Sequence, residues 1–79
     1  MTLKELIKDG ASRGLRVTKF DGEYRIAPMR SWWEMLDYPA KQHFTDWAED
    51  RAYYTDDIDD ASMTLVAIHM GLKRELQYP

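Results

Sequence analysis

The dipeptide Asp21-Gly22 constrains this chain more than any other feature, because it lies between two runs of alternating character, Leu15-Arg16-Val17-Thr18-Lys19-Phe20 and Glu23-Tyr24-Arg25-Ile26. A two-residue type I′ hairpin turn needs positive φ at both central positions, and Asp-Gly supplies it at little steric cost. Placing the turn there fixes the register, so that Phe20 faces Glu23, Lys19 faces Tyr24, Thr18 faces Arg25 and Val17 faces Ile26. Leu15, Val17, Tyr24 and Ile26 then share the face predicted to enter the core. Arg16, Thr18 and Arg25 share the solvated face, with Phe20 as its odd apolar member.

The flanking segments read as helices. Leu3, Leu6, Ile7 and Ala11 line one helical face, Thr2 is the expected N-cap, Gly10 weakens the interior and Gly14 is placed to end the helix in a left-handed turn. After the hairpin, Ser31-Trp32-Trp33-Glu34 has the form of a capping box, and Pro39 limits that helix to about Asp37. A second short helix is predicted from Pro39 to Glu49, with Ala40, Phe44, Trp47 and Ala48 on one face. Arg51 to Tyr54 reads as a third strand, favoured by its adjacent tyrosines. From Asp56 to Leu72, Ile58, Ala61, Leu65, Ile68 and Leu72 follow the helical spacing, and Met63, Val66, Ala67 and Met70 are expected to widen that stripe. Gly71 is read as a stop signal, with the tail to Pro79 able to add a further turn. The class is α+β: one domain, 1–79, in which a small antiparallel sheet packs on a long C-terminal helix, with an N-terminal helix and short central helices.

At 79 residues without cysteine, the chain has no disulfide or thiolate-metal framework and must rely on its aromatic and aliphatic positions. The N-terminus is too charged for a signal peptide, and no apolar run approaches the roughly 18 residues needed to span a bilayer, which points to a soluble cytoplasmic protein with no membrane association. Charge is unevenly spread. Residues 1–30 hold seven basic and four acidic residues, whereas residues 46–60 hold seven acidic residues against Arg51 alone. Such asymmetry can steer association with a charged partner, and it also follows from solvating helix ends.

The acidic run Asp56, Asp57, Asp59 and Asp60 sits where a helix N-terminus favours carboxylates. Metal binding is not expected: counted as a calcium loop, the run places Ala61 at the glycine position and Ala67 at the bidentate acid position. With Glu49 and Asp50 the same carboxylates form a candidate partner-binding surface that resembles nucleic-acid phosphates and would attract a basic groove. Trp32, Trp33 and Tyr38 form a candidate aromatic binding patch, weighed against a small aromatic core with Phe44 and Trp47. His43 and His69 form no metal-ligand or catalytic pair, no nucleophile sits in a recognisable motif, and neither an enzyme nor a cofactor is expected. Arg16, Lys19 and Arg25 could contact phosphates from the hairpin face, but three scattered cations on a net acidic chain disfavour direct nucleic-acid binding.

Two segments carry a resemblance. The hairpin Val17 to Ile26, with its "DGEYR", and the junction Ala52-Tyr53-Tyr54-Thr55-Asp56-Asp57-Ile58-Asp59-Asp60-Ala61 resemble small bacteriophage and prophage proteins of unknown function, which pair such a hairpin with an "AYYTDD" strand-to-helix junction. The resemblance covers the hairpin and the C-terminal third, and residues 29–50 look like an insertion. It implies an accessory protein of a mobile element, acting in the host cytoplasm by binding and inhibiting a host protein. Anti-CRISPR proteins are one such class and share size, compactness and absence of catalytic motifs. The alternatives are a small nucleic-acid-binding or regulatory module using the basic hairpin face, and a structural self-associating protein in which a homodimer buries the tryptophans.

Overall fold

The computed structural model describes residues 1–36 and 43–77. Its first helix, α1 (Leu3–Ser12), begins with a complete capping box: Thr2 Oγ1 accepts the Glu5 N–H at 3.2 Å, and the Glu5 carboxylate accepts the Thr2 N–H at 2.8 Å. Gly14 ends it as predicted, with φ at 71° and its N–H donated to the Ala11 carbonyl at 3.0 Å. The position has a second reason to be glycine, since a Cβ there would collide with the Trp32 indole nitrogen. Gly10, predicted only to weaken the helix, is buried at a close approach: a Cβ would lie 2.7 Å from Val17 Cγ2 and 3.2 Å from the Leu15 carbonyl oxygen.

Strands β1 (Leu15–Phe20) and β2 (Glu23–Pro28) form the hairpin in the predicted register, with Asp21 and Gly22 at φ 52° and 78°. Leu15, Val17, Tyr24 and Ile26 are all buried, and Phe20 on the other face is 85% exposed. The third strand, β3 (Tyr53–Thr55), pairs antiparallel with β2 at the outer edge, giving the order β1-β2-β3. It starts two residues later than the tyrosine pattern predicts, because Arg51 serves as the C-cap of the preceding helix, where its N–H bonds to the Ala48 carbonyl at 3.1 Å.

The central helices differ from expectation at their starts. Helix α2 (Arg30–Met35) is capped by Met29, and Ser31 lies inside its first turn rather than capping it. Tertiary contacts set this start: the Met29 N–H bonds to the Gly14 carbonyl at 2.8 Å, and the Trp32 indole N–H bonds to the Arg13 carbonyl at 3.0 Å. Helix α3 (Phe44–Asp50) does not reach back to Pro39, since His43 is extended at φ −59° and ψ 141° and its Nδ1 accepts the Thr45 N–H at 3.3 Å. Pro39 and Ala40 lie outside the described residues. Trp47 and Ala48 are buried and Phe44 is half-buried, so the expected apolar face is present.

Helix α4 (Ile58–Gln77) runs straight through Gly71, around which no atom would approach an added Cβ within 4 Å. Tertiary packing over the helix's length outweighs the propensity penalty of one glycine. Ala61, Leu65 and Leu72 are buried, while Ile58, Ile68 and Leu76 pack at the border of the core. Met63, Val66, Ala67 and Met70 do not widen this stripe, for all four are exposed on the other side of the helix. The centre of the core is Leu6, Leu15, Ile26, Trp47 and Leu65, where α1 and α4 meet on the inner sheet face and α3 closes one end. Trp47 buries its indole N–H without an acceptor among the described residues, and an unmet buried donor costs about 1–3 kcal/mol.

Candidate functional site

Carboxylates from two separate segments converge on the outer strand. Glu49, at the end of α3, accepts a hydrogen bond from Arg25 Nη2 at 2.7 Å and another, through its second oxygen, from the Tyr54 hydroxyl, while Arg25 Nε donates to the same phenol oxygen at 3.2 Å. This Arg25–Glu49–Tyr54 set ties together β2, α3 and β3. The Tyr54 phenol, and then Arg25, hold the Glu49 carboxyl below the usual carboxylate range, and Glu49 in turn raises the Arg25 guanidinium above its ordinary value. One residue earlier on β3, the Tyr53 hydroxyl donates to Asp60 at 2.6 Å, which raises the pKa of this phenol. Both tyrosines remain at the surface, 37% and 45% exposed.

The other acids of this edge have distinct tasks. Asp57 caps α4, its Oδ1 accepting the N–H groups of Asp59 at 2.9 Å and Asp60 at 3.4 Å, and Thr55 Oγ1 accepts the Asp57 N–H at 3.2 Å. Asp50, Asp56 and Asp59 are exposed. Of the six predicted acids, Glu49 and Asp60 are held by Tyr54 and Tyr53, adjacent residues of β3 whose side chains point to opposite faces of the sheet. Glu49, Asp57 and Asp60 also stabilise the fold, and the side chains of Asp56 and Asp59 accept no hydrogen bond among the described residues.

The aromatic patch is not displayed as a set. Trp32 is only 9% exposed and belongs to the core, because its indole N–H is committed to Arg13 and its ring lies against Gly14 and, at 5.6 Å, edge-on to His69. Trp33 is half-buried, edge-on to Phe44 at 6.0 Å and beneath the Arg30 guanidinium at 5.7 Å. Tyr38 lies outside the described residues. His69 has its pKa lowered, first by desolvation and then by Lys73 and Arg13.

A second surface was only partly legible in the sequence. The outer hairpin face, α2 and α3 enclose an open cleft of about 550 Å³ that is lined by Arg16, Thr18, Arg25, Arg30, Phe44 and Thr45, among others. Arg30 stacks over the Phe44 ring at 4.6 Å. Lys19, grouped in the sequence with Arg16 and Arg25, points the other way and sits 5.0 Å above the Tyr24 ring, as the register of alternate residues requires. Arg30 takes its place. The signal for Arg30 is its position just beyond the strand, at the first residue of α2, and it becomes readable only once the chain's turn at Met29 is known.

Among the described residues, no three histidines or acids are placed to hold a metal ion together, and no helix is long and apolar enough to cross a membrane. Comparison with known proteins finds no matching family model, characterised protein or solved structure. The acidic edge and the arginine cleft adjoin through Arg25, which lines the cleft while Glu49 holds it from the edge. Together they offer a surface of fixed charges and hydrogen-bonding groups.

Proposed function

We propose that the protein is an accessory protein of phage or prophage type that binds a host protein through its acidic edge and occludes a basic surface there. The observation that carries this reading is an edge strand with acids on both of its faces, Glu49 and Asp60 held by the phenols of the exposed Tyr54 and Tyr53, with the exposed Asp56 following directly in the chain. Tyrosine is a frequent anchor at interfaces, and charge complementarity supplies fast, selective encounter with a basic groove. The resemblance of the hairpin and of the Tyr53–Ala61 junction to phage proteins supports the same reading. A nucleic-acid-handling complex of host defence, the kind of target anti-CRISPR proteins inhibit, would present such a groove.

The test is capture from host lysate at about 50 mM and 300 mM salt, using the native chain and an Asp50→Asn/Asp56→Asn variant that leaves Glu49, Asp57 and Asp60 in their structural roles. Retained proteins are expected to be basic and nucleic-acid-binding, and to be lost at high salt and in the variant. Retention indifferent to both salt and substitution would eliminate the acidic edge as the working surface.

The arginine cleft favours a second reading, a small module that grips nucleic-acid phosphate. Arg16 and Arg30 line it with no carboxylate partner among the described residues, and Phe44 offers a ring beside them. An electrophoretic shift at low salt that weakens in an Arg16→Ala/Arg30→Ala variant is expected on this reading. No shift at low salt removes it.

A further inference from the structure

The exposed face of α4 carries a pattern that the core does not use. At about 100° per residue, Asp59, Met63, Val66, Ala67, Met70 and Arg74 fall within an arc of roughly 100°, on the side of the helix away from Ala61, Leu65 and Leu72. Met63 is 77% exposed, Met70 52% and Val66 43%, so three large apolar side chains form a continuous stripe in water. Residues 59, 63, 66, 70 and 74 follow one another at intervals of three or four, which keeps them on one face of the helix. The stripe is flanked by an acid at its N-terminal end and a base at its C-terminal end.

These features are symmetric about one point. If a second copy of α4 is laid antiparallel with a two-fold axis between Val66 and Ala67, Met63 of each chain meets Met70 of the other, Val66 meets Ala67, and Asp59 meets Arg74. Both charged pairs then have opposite sign, at the two ends of a seam about 22 Å long. A parallel pair would instead set Asp59 against Asp59 and Arg74 against Arg74. Isologous two-fold contacts require a patch to be complementary to its own rotated image, and this one is.

We propose that α4 pairs antiparallel with α4 of a second copy of this chain along Met63, Val66, Ala67 and Met70, with Asp59 and Arg74 setting the direction. This leaves Trp32 in its own core, unlike a dimer built by burying the tryptophans, and it is independent of the acidic edge apart from Asp59. Four apolar residues per chain cover less than the roughly 800 Å² per partner of a standard interface, so association belongs at the weak end of the range.

Sedimentation equilibrium from about 10 µM to 1 mM should show the mean mass rising from the 9.4 kDa of one chain toward twice that value. Met63→Glu should hold the chain monomeric with an unchanged circular dichroism spectrum, since the position is at the surface. Because the sequence has no cysteine, Met63→Cys and Met70→Cys variants can be mixed under oxidant. The 63-to-70 crosslink should form several-fold faster than either like-with-like crosslink. A chain that stays monomeric at 1 mM overturns the proposal, even if the stripe proves necessary for capturing some other protein. Faster 63-to-63 crosslinking overturns the antiparallel arrangement.

Discussion

Gly14 and Gly71 show how differently one residue type acts at two positions. Gly14 has φ at 71° and the Trp32 indole against the place a Cβ would occupy, so Gly14→Ala is expected to destabilise the protein by about 2 kcal/mol or more in urea unfolding. Gly71 lies mid-helix in open space, and Gly71→Ala should stabilise by about 0.5–1 kcal/mol in the same measurement. The first was legible in the sequence because a left-handed glycine after an amphipathic helix has a local signature. The second was read as a stop signal with a further turn left open, and the helix does continue to Gln77, where Leu72 and Leu76 pack on the core beyond the glycine. Asp57 was legible as part of an acidic helix start, though its capping bonds to Asp59 and Asp60 single it out among four similar residues. Asp57→Ala should cost about 1 kcal/mol, whereas Asp56→Ala should fall within about 0.5 kcal/mol of the native chain.

Elements whose pattern is carried by their own residues were readable, and those positioned by neighbours were not. The hairpin register followed from Asp21-Gly22 alone, and α4 from its buried stripe. The start of α2 depended on Gly14 and Arg13, far back in the chain, which is why the local Ser31 signal lost. The exposed stripe on α4 was mistaken for core because methionine and valine at helical spacing do not reveal which face meets the sheet. Among the ties between elements, Arg51 is the most consequential: it makes a two-pronged contact with Glu75, donates to the Trp47 carbonyl at 2.9 Å, and stacks over the Trp47 ring at 4.6 Å. It therefore holds the end of α3 to the last turns of α4. Arg51→Ala should lower stability by about 2 kcal/mol, and high salt should recover little of the effect because the pair is half-buried.

The whole molecule should lose stability as pH falls. His69 has a lowered pKa in the fold, so the unfolded chain binds its proton more readily, and the stability this confers is present above the ordinary imidazole value of 6.5 and lost as pH falls through the folded value. Glu49 is likewise held below its ordinary value of 4.5, and its contribution disappears as pH falls through its own lower folded value. Urea unfolding followed by tryptophan fluorescence from about pH 8 to 3 should show stability falling with pH, less steeply at the upper end in His69→Gln and at the lower end in Glu49→Gln, where the lowered Glu5 carboxyl also contributes. At this scale the candidate site was legible as charge asymmetry, but Arg30 and the pinned tyrosines were not, since they depend on where β3 and α2 dock. One consequence of the docking concerns the hairpin. It is latched at its open end, where Met29 bonds to Gly14 and Trp32 to Arg13, while its turn projects past the core with Phe20 in water. Amide hydrogen exchange should therefore run as a gradient along the ribbon, fastest beside Asp21 and slowest at Leu15 and Ala27, so that the two strands part from the turn inward.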